Sequence, residues 1–309
     1  MVTILRPLST SELLDRTFHL YKNNFLMFVG IAAIPQLAVL GLHLADAALW
    51  LRRLIPLREL RTVLFVGAAF ATVEISHAAT VAAVSSLQLS RSTGIASSYA
   101  SAKSSILRVL GIASIAFWLP LVIAIILGVI LASVSAGILA ATGIFRGVGI
   151  AMWIRMAMLG VTFMAMPLLA LRWWLAWSLV VPVTVIEGGG LRTTLRRSRS
   201  LTEGRRARIF IIYILVALLT WVVAVIFQTP FYSMLSWKHI FRPPYASSLA
   251  VTVSAIGNFL STSLVGPLMT IAFTLIYYDE RVRREGFDLQ LMISTLESRT
   301  PSASPALAL

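Results

Sequence analysis

The sequence predicts an all-α integral membrane protein with six transmembrane helices and both termini in the cytoplasm, and its composition and hydropathy pattern predict this class. Hydrophobic residues make up 58% of the 309 residues and charged residues only 12%. That charged share is about half of what a soluble domain carries. Apolar runs of roughly 20 residues recur along the chain, and each could cross a hydrocarbon core about 30 Å thick.

The membrane domain is expected to cover residues 25–288, between an N-terminal segment, 1–24, and a mostly disordered tail, 289–309. Its six helices are predicted at about 25–49, 62–88, 109–138, 153–186, 209–235 and 247–278. The third and fourth helices come from one long apolar run that could hold two or three segments. The last apolar run contains Gly266-Pro267, and a span with a kink there is plausible because neighbouring helices can satisfy the freed backbone groups.

The distribution of basic residues favours two segments in the long run, because cytoplasmic loops carry an excess of Lys and Arg. With six helices, the N-terminus, the 90–108 and 188–208 connections and the C-terminus share one side. That side carries 17 of the 26 Lys and Arg residues, and the opposite side carries eight. Three segments would put the two basic connections on opposite faces. The richer side is therefore assigned to the cytoplasm.

The N-terminal segment predicts an amphipathic helix at the membrane interface. Ser9 and Glu12 have capping-box spacing, and apolar residues follow at steps of four, three and four, at Leu14, Phe18, Tyr21 and Phe25. This spacing returns at 95–106 and, more weakly, at 191–202. Two interpretations remain open. The chain could contain three repeats of an interface helix plus a helical hairpin, starting near residues 9, 93 and 190. The spacing could also be coincidental, since any amphipathic helix has this period.

A basic cytoplasmic helix is expected at 190–204, after glycines 188–190 let the chain leave the membrane helix. The first interpretation is an anchor on anionic lipid headgroups, which attract basic residues. The alternative is a specific site for a phosphate headgroup or a phosphorylated ligand. Nucleic acid is not expected as a partner, because interleaved aromatic residues and a recognisable binding fold are absent. The candidate headgroup-binding residues are Arg192, Arg196, Arg197, Arg199, Arg205 and Arg206.

Three ionisable residues are expected inside the membrane. Glu74 and His77 lie three apart on one helical face, and Arg172 lies in the fourth helix. Glu74 and Arg172 are predicted at about 21 and 22 Å from the cytoplasmic ends of their helices. Intramembrane charges normally find partners, so we expect Glu74 and Arg172 to pair directly or through His77. The alternative directs Arg172 to the outer interface. A metal ion is not expected, because di-iron sites with Glu-x-x-His spacing need carboxylates from other helices.

The C-terminal stretch DERVRREGFD predicts a charged helix end. Its acidic and basic residues recur at i,i+4 spacing, and Gly286 is suited to cap the helix. This stretch could be a solvated extension of the sixth helix that pairs with itself. It could also dock against the basic helix at 192–208.

Three segments resemble one family of bacterial integral membrane proteins, named after the membrane domain of glycerophosphoryl diester phosphodiesterases. The segments are LRPLSTSELLDRTFHLYKNNF, RWWLAWSLVVPVTVIEGGGLRTTLRRSRSLTEG and IYYDERVRREGFDLQLM. The family-motif positions are Pro182, Glu187, Ser198, Ser200, Asp279, Arg281, Arg283, Glu285, Gly286 and Asp288. The resemblance implies a multi-pass protein of the bacterial cytoplasmic (inner) membrane and an association with phosphodiester hydrolysis.

The catalytic part of such phosphodiesterases is a soluble barrel with an early His-Arg pair and metal-binding carboxylates, and this sequence does not supply it. None of the four histidines precedes an arginine. We therefore expect a free-standing membrane domain with no catalytic residue, metal or cofactor. The leading hypothesis is a non-catalytic protein that engages lipid headgroups or a membrane or cytoplasmic protein partner. The alternative is a lipid or small-molecule transporter with a polar path at Glu74, His77 and Arg172. An intramembrane lipid phosphodiesterase is less favoured.

Overall fold

The computed structural model describes residues 8–48, 53–89, 91–141, 170–236 and 246–286, together with six single positions between 153 and 168. Within these residues the secondary structure is helical and contains no strand. Six helical stretches are long and apolar enough to cross a membrane. The predicted all-α membrane class is confirmed.

Eight helices have defined bounds in the described residues. They are α1 (Thr10–Asn23), α2 (Phe25–Ala47), α3 (Arg58–Gln88), α4 (Ile95–Ala141), α5 (Val180–Glu187), α6 (Leu191–Thr202), α7 (Arg206–Ser236) and α8 (Ala246–Glu285). The six candidate spans are Phe25–Ala47, Arg58–Gln88, Ile95–Val134, Ala170–Glu187, Arg206–Thr229 and Thr252–Glu285.

The predicted helix bounds agree with these spans most closely for α2, and α4 differs most. Its interface segment and its membrane segment form one continuous helix from Ile95, because no residue between 95 and 108 is a proline or glycine that would interrupt it. The fourth helix is described continuously only from residue 170. The choice between two and three segments in the long run therefore falls partly outside the described residues, as does the 289–309 tail.

The capping box predicted for α1 is formed. Ser9 Oγ accepts the Glu12 backbone N–H at 3.2 Å, and the Ser9 N–H donates to the Glu12 carboxylate at 2.7 Å. Phe18 and Phe25 of the expected apolar stripe are exposed, and Leu13 and Thr17 are fully buried. The buried side of α1 is turned toward α8, against which α1 packs.

Helix α8 lies at the centre of the bundle and packs against α1, α2, α3 and α7. Its buried residues, among them Ile271 and Leu275, belong to one core with Phe28 of α2. Ala79 and Ala83 of α3 are fully buried in the same core. Small residues at such positions let membrane helices approach closely.

The three predicted repeat units begin where helices begin, at Thr10, Ile95 and Leu191. The units differ in whether the interface helix continues into the following membrane helix. The first and third interface helices are separated from the following long helix, whereas the second is not. The order of elements agrees with the repeat interpretation, which stays a prediction.

Candidate functional site

The chain leaves the membrane helix α5 through a left-handed glycine. Gly188 has φ 69° and its N–H donates to the Thr184 carbonyl at 3.2 Å. A residue with a side chain rarely adopts this conformation. The predicted role of the glycines in ending the helix and starting α6 is confirmed at Gly188.

The stretch that leads into α5 is interrupted by a turn at residues 177–179. The Val180 N–H donates to Trp177 at 3.1 Å rather than to the Ala176 carbonyl four residues back. Helix α6 supplies a donor instead, because Ser198 Oγ donates to the Ala176 carbonyl at 3.0 Å. Thr202 Oγ1 lies 3.3 Å from the same carbonyl and shares its single proton with the nearer Arg199 carbonyl at 3.1 Å. The fully buried Ser198 thus connects α6 to the membrane segment at the turn that interrupts this segment.

Three arginines of the basic segment are held by acidic residues. Arg197 lies between two carboxylates, with Nε 3.0 Å from Glu187 and Nη1 2.5 Å from Glu285. The hydrogen bond to Glu285 is the largest effect that raises the pKa of Arg197 above its usual value, against the opposing effect of burial. Arg205 and Arg208 lie near the acids of α8.

The remaining arginines of this segment have different surroundings. Arg192, Arg196 and Arg199 are exposed and form no ion pair among the described residues. They share one stripe of α6, since residues three and four apart are neighbours on a helix surface. Arg206 is half-buried, and its Nε has no hydrogen-bond partner in the described part of the chain. The six predicted headgroup-binding residues therefore fall into three groups. Arg192, Arg196 and Arg199 are exposed and unpaired in the described residues, Arg197 and Arg205 lie near acids, and Arg206 is half-buried.

Asp279 and Glu280, two of the acids near the end of α8, are buried rather than solvated. The Asp279 side chain is fully buried and accepts hydrogen bonds from the Leu8 N–H at 2.7 Å, Arg283 Nε at 2.9 Å and Arg208 Nη1 at 2.5 Å. The Glu280 side chain, also fully buried, lies 3.5 Å from both Arg205 and Arg208. The contacts confirm the docking interpretation of this stretch, and the expected solvation is wrong for Asp279 and Glu280.

The i,i+4 pairs predicted within α8 are also formed, at 2.9 Å for Asp279–Arg283, 3.8 Å for Glu280–Arg284 and 3.2 Å for Arg281–Glu285. Gly286 adopts φ 59° after the last residue of α8, as expected for a cap. The acids therefore bind both to their own helix and to the basic segment.

A cavity of about 140 Å³ lies between α3, α4, the 174–182 segment and α8. Glu74 and His77 line it from α3, and aromatic side chains supply much of its wall. Glu74 is 9% exposed, and its Oε2 has no hydrogen-bond partner among the described residues. His77 Nδ1 lies 3.7 Å from that oxygen, which is beyond hydrogen-bond distance.

The expected pair of Glu74 with Arg172 is wrong. Arg172 is exposed, does not line the cavity and forms no ion pair with Glu74 in the described residues. Trp174 faces the cavity two residues later, and residues two apart do not share a helix face. The part of the chain that the structure describes also contains no group of three or more acidic or histidine side chains placed to bind a metal ion.

Most of the family-motif positions lie along one connected region. Pro182 lines the cavity, and Ser198 bonds to the break in the membrane segment. The rest of the described set, apart from Ser200, lies in or beside the ionic contacts at the end of α8: Glu187, Asp279, Arg281, Arg283, Glu285 and Gly286. Ser200 is exposed, and Asp288 lies outside the described residues.

Several residues of these sites were not predicted from the sequence. The Leu8 carbonyl accepts a hydrogen bond from Arg208 at 2.7 Å, and Tyr277 donates to Glu187 at 2.8 Å. Thr270 lines the cavity from α8. Spacing within one helix could not identify these residues, because each lies beside residues of a distant element.

Comparisons of the chain with models of protein families, with curated proteins and with solved structures found no match. The resemblance to the membrane domain of glycerophosphoryl diester phosphodiesterases stays a prediction, and the function rests on the geometry of the arginine stripe and the cavity.

Proposed function

We propose that this chain is a non-catalytic protein of the bacterial cytoplasmic membrane that binds anionic lipid headgroups through Arg192, Arg196 and Arg199. One observation carries the proposal. These three arginines share an exposed stripe without acidic partners in the described residues, whereas Arg197, a neighbour on the same helix, is held by Glu187 and Glu285.

The internal contacts of α6 support this role because they hold the stripe outward. Thr194, Ser198 and Thr202 are buried on the opposite side of the helix, and Arg197 connects α6 to the end of α8. A fixed helix loses little conformational entropy when its side chains meet headgroups. Each basic residue near an anionic surface contributes about 1 kcal/mol.

The test uses the full chain in mild detergent with a soluble short-chain phosphatidylglycerol, and thermal stabilisation reports binding. Replacing Arg196 and Arg199 by glutamine should weaken binding about thirtyfold, from two contributions of about 1 kcal/mol. Binding to the unchanged protein should also weaken as salt is added, because exposed charges are screened.

The matched control replaces Arg53 and Arg58 by glutamine. These exposed arginines lie before and at the start of α3, on the side that the positive-inside rule assigns to the exterior. The control should keep the affinity of the unchanged protein. Equal losses in both variants, or equal binding of short-chain phosphatidylcholine, would refute the headgroup site.

A transporter is the second candidate, and the cavity favours it. The cavity lies beside an interrupted membrane segment and contains Glu74 and His77, and interrupted helices commonly form the binding sites of transporters. Arg172 is not part of this proposed transport path, because it does not line the cavity. Flux of a cavity ligand across proteoliposomes that is lost in Glu74→Gln would favour transport over a purely anchoring role.

A further inference from the structure

Two buried oxygen atoms at the cavity lack hydrogen-bond partners in the described residues. They are Glu74 Oε2 on α3 and Thr270 Oγ1 on α8, and the two residues are only 9% and 5% exposed. Burying a polar atom without a partner is unfavourable. A ligand with N–H or O–H donors would satisfy both oxygens, so the polar part of the cavity is suited to a donor group.

The remainder of the cavity wall is aromatic. Phe117 of α4, Trp174 and Trp177 of the interrupted segment, and Phe273 of α8 line it. Aromatic faces attract cations through their quadrupoles and also pack against apolar groups. The wall therefore suits a ligand that combines a positive charge with an apolar body.

The charges around the cavity also favour a cation. Glu74 is the acidic residue of its lining, and His77 is the basic one. The 3.7 Å between His77 Nδ1 and Glu74 Oε2 leaves the carboxylate oxygen without a hydrogen bond from the ring. Arg172 does not reach the cavity.

The volume of the cavity indicates the size of a ligand that would fill it. Its volume is about 140 Å³, close to that of an engineered cavity of about 150 Å³ that binds benzene. A molecule of about five to eight non-hydrogen atoms fits such a space. Water could donate to the two oxygens, but it would leave the aromatic wall without an apolar partner.

We propose that this cavity binds a small organic primary ammonium, which donates N–H groups to Glu74 and Thr270 and packs its apolar body against Trp174 and Trp177. This site is separate from the arginine stripe of α6. Failure of headgroup binding would therefore leave the ammonium site untouched, and failure of ammonium binding would leave the headgroup proposal untouched.

The experiment compares tert-butylammonium with tert-butanol, a neutral molecule of nearly the same shape. Each is titrated into the full chain in mild detergent, to millimolar concentrations suited to ligands of this size. The melting temperature and the tryptophan fluorescence are recorded. We expect tert-butylammonium to give a saturable rise in melting temperature and to change the fluorescence, and tert-butanol to bind at least about tenfold more weakly, since a hydrogen bond to a charged group is lost.

The variants separate the site from a general effect of amines. Glu74→Gln keeps the shape of the side chain and should weaken tert-butylammonium binding about tenfold, and Thr270→Val should weaken it by a smaller factor. Glu59→Gln is the matched control, because Glu59 is an exposed glutamate at the start of the same helix. It should bind as the unchanged protein does.

Three results would overturn the proposal. They are the absence of saturable binding of tert-butylammonium, equal binding of tert-butanol, and an equal effect of Glu59→Gln and Glu74→Gln. If Glu74→Gln does not fold, Thr270→Val and a Trp177→Phe variant provide the same comparison. Unchanged affinity and an unchanged fluorescence response in both would also reject the site.

Discussion

Arg208 Nη1 lies 2.5 Å from Oδ2 of Asp279, and the pair joins the start of α7 to the end of α8 across 71 residues of sequence. The Asp279 side chain is fully buried and Arg208 is 21% exposed. The same carboxylate accepts the Leu8 N–H. One acidic residue therefore holds together the segment before α1, the start of α7 and the end of α8.

The first prediction concerns this pair. Asp279→Asn and Arg208→Gln should each lower the free energy of unfolding by about 1.5–3 kcal/mol, because each weakens a hydrogen bond between charged groups. The loss stays in this range because Asp279 keeps Arg283 and Arg208 keeps Glu280 as a charged neighbour. The double variant should lose less than the sum of the two, by about 0.5–3 kcal/mol. Unfolding of the purified chain in mild detergent measures these differences.

The control for this cycle is Glu203→Gln, which changes an exposed carboxylate near the same region and should alter stability by no more than about 0.5 kcal/mol. Strictly additive losses for Asp279 and Arg208 would show that the two side chains do not interact.

The second prediction concerns the break at residues 177–179. Ser198→Ala should lower the free energy of unfolding by about 1 kcal/mol, because the Ala176 carbonyl then keeps only the longer bond from Thr202. Ser200→Ala, on the exposed side of the same helix, should cost less than about 0.5 kcal/mol. Equal losses in the two serine variants would mean that the bond to Ala176 does not stabilise the segment.

The third prediction is the topology. The chain has no cysteine, so single cysteines can be introduced at exposed positions and labelled with a membrane-impermeant reagent. Cysteines at Ser104 and Ser200 should react from the cytoplasmic side, and one at Leu57 from the outside. Ser198 is unsuited to this labelling because it is fully buried.

The same labelling tests whether the long apolar run, from α4 to the end of α5, holds two or three membrane segments. Two segments place Ser104 and Ser200 on one face of the membrane, and three place them on opposite faces. Labelling of Ser200 and Leu57 from the same face would refute the six-helix topology.

Part of the site could be predicted from the sequence because the deciding interactions are local. The capping box of Ser9 and Glu12, the left-handed Gly188 and Gly286, and the i,i+4 pairs of α8 involve residues within a few positions of one another. The exposed stripe of α6 also follows from helical spacing. The predicted pair of Glu74 and Arg172 is wrong because equal depth along two helices does not decide which way each side chain faces.

The sequence by itself determined the membrane class, the approximate helices and their caps, because hydrophobic runs, glycines and short-range polar pairs act within one segment. Only the tertiary structure decided which arginines are paired and which remain exposed. It also decided that Ser198 completes the backbone of a distant helix and that Thr270 joins Glu74 at a cavity. The physical reason is that these contacts depend on how helices separated by tens of residues rotate and pack against α8, and no local spacing records that rotation.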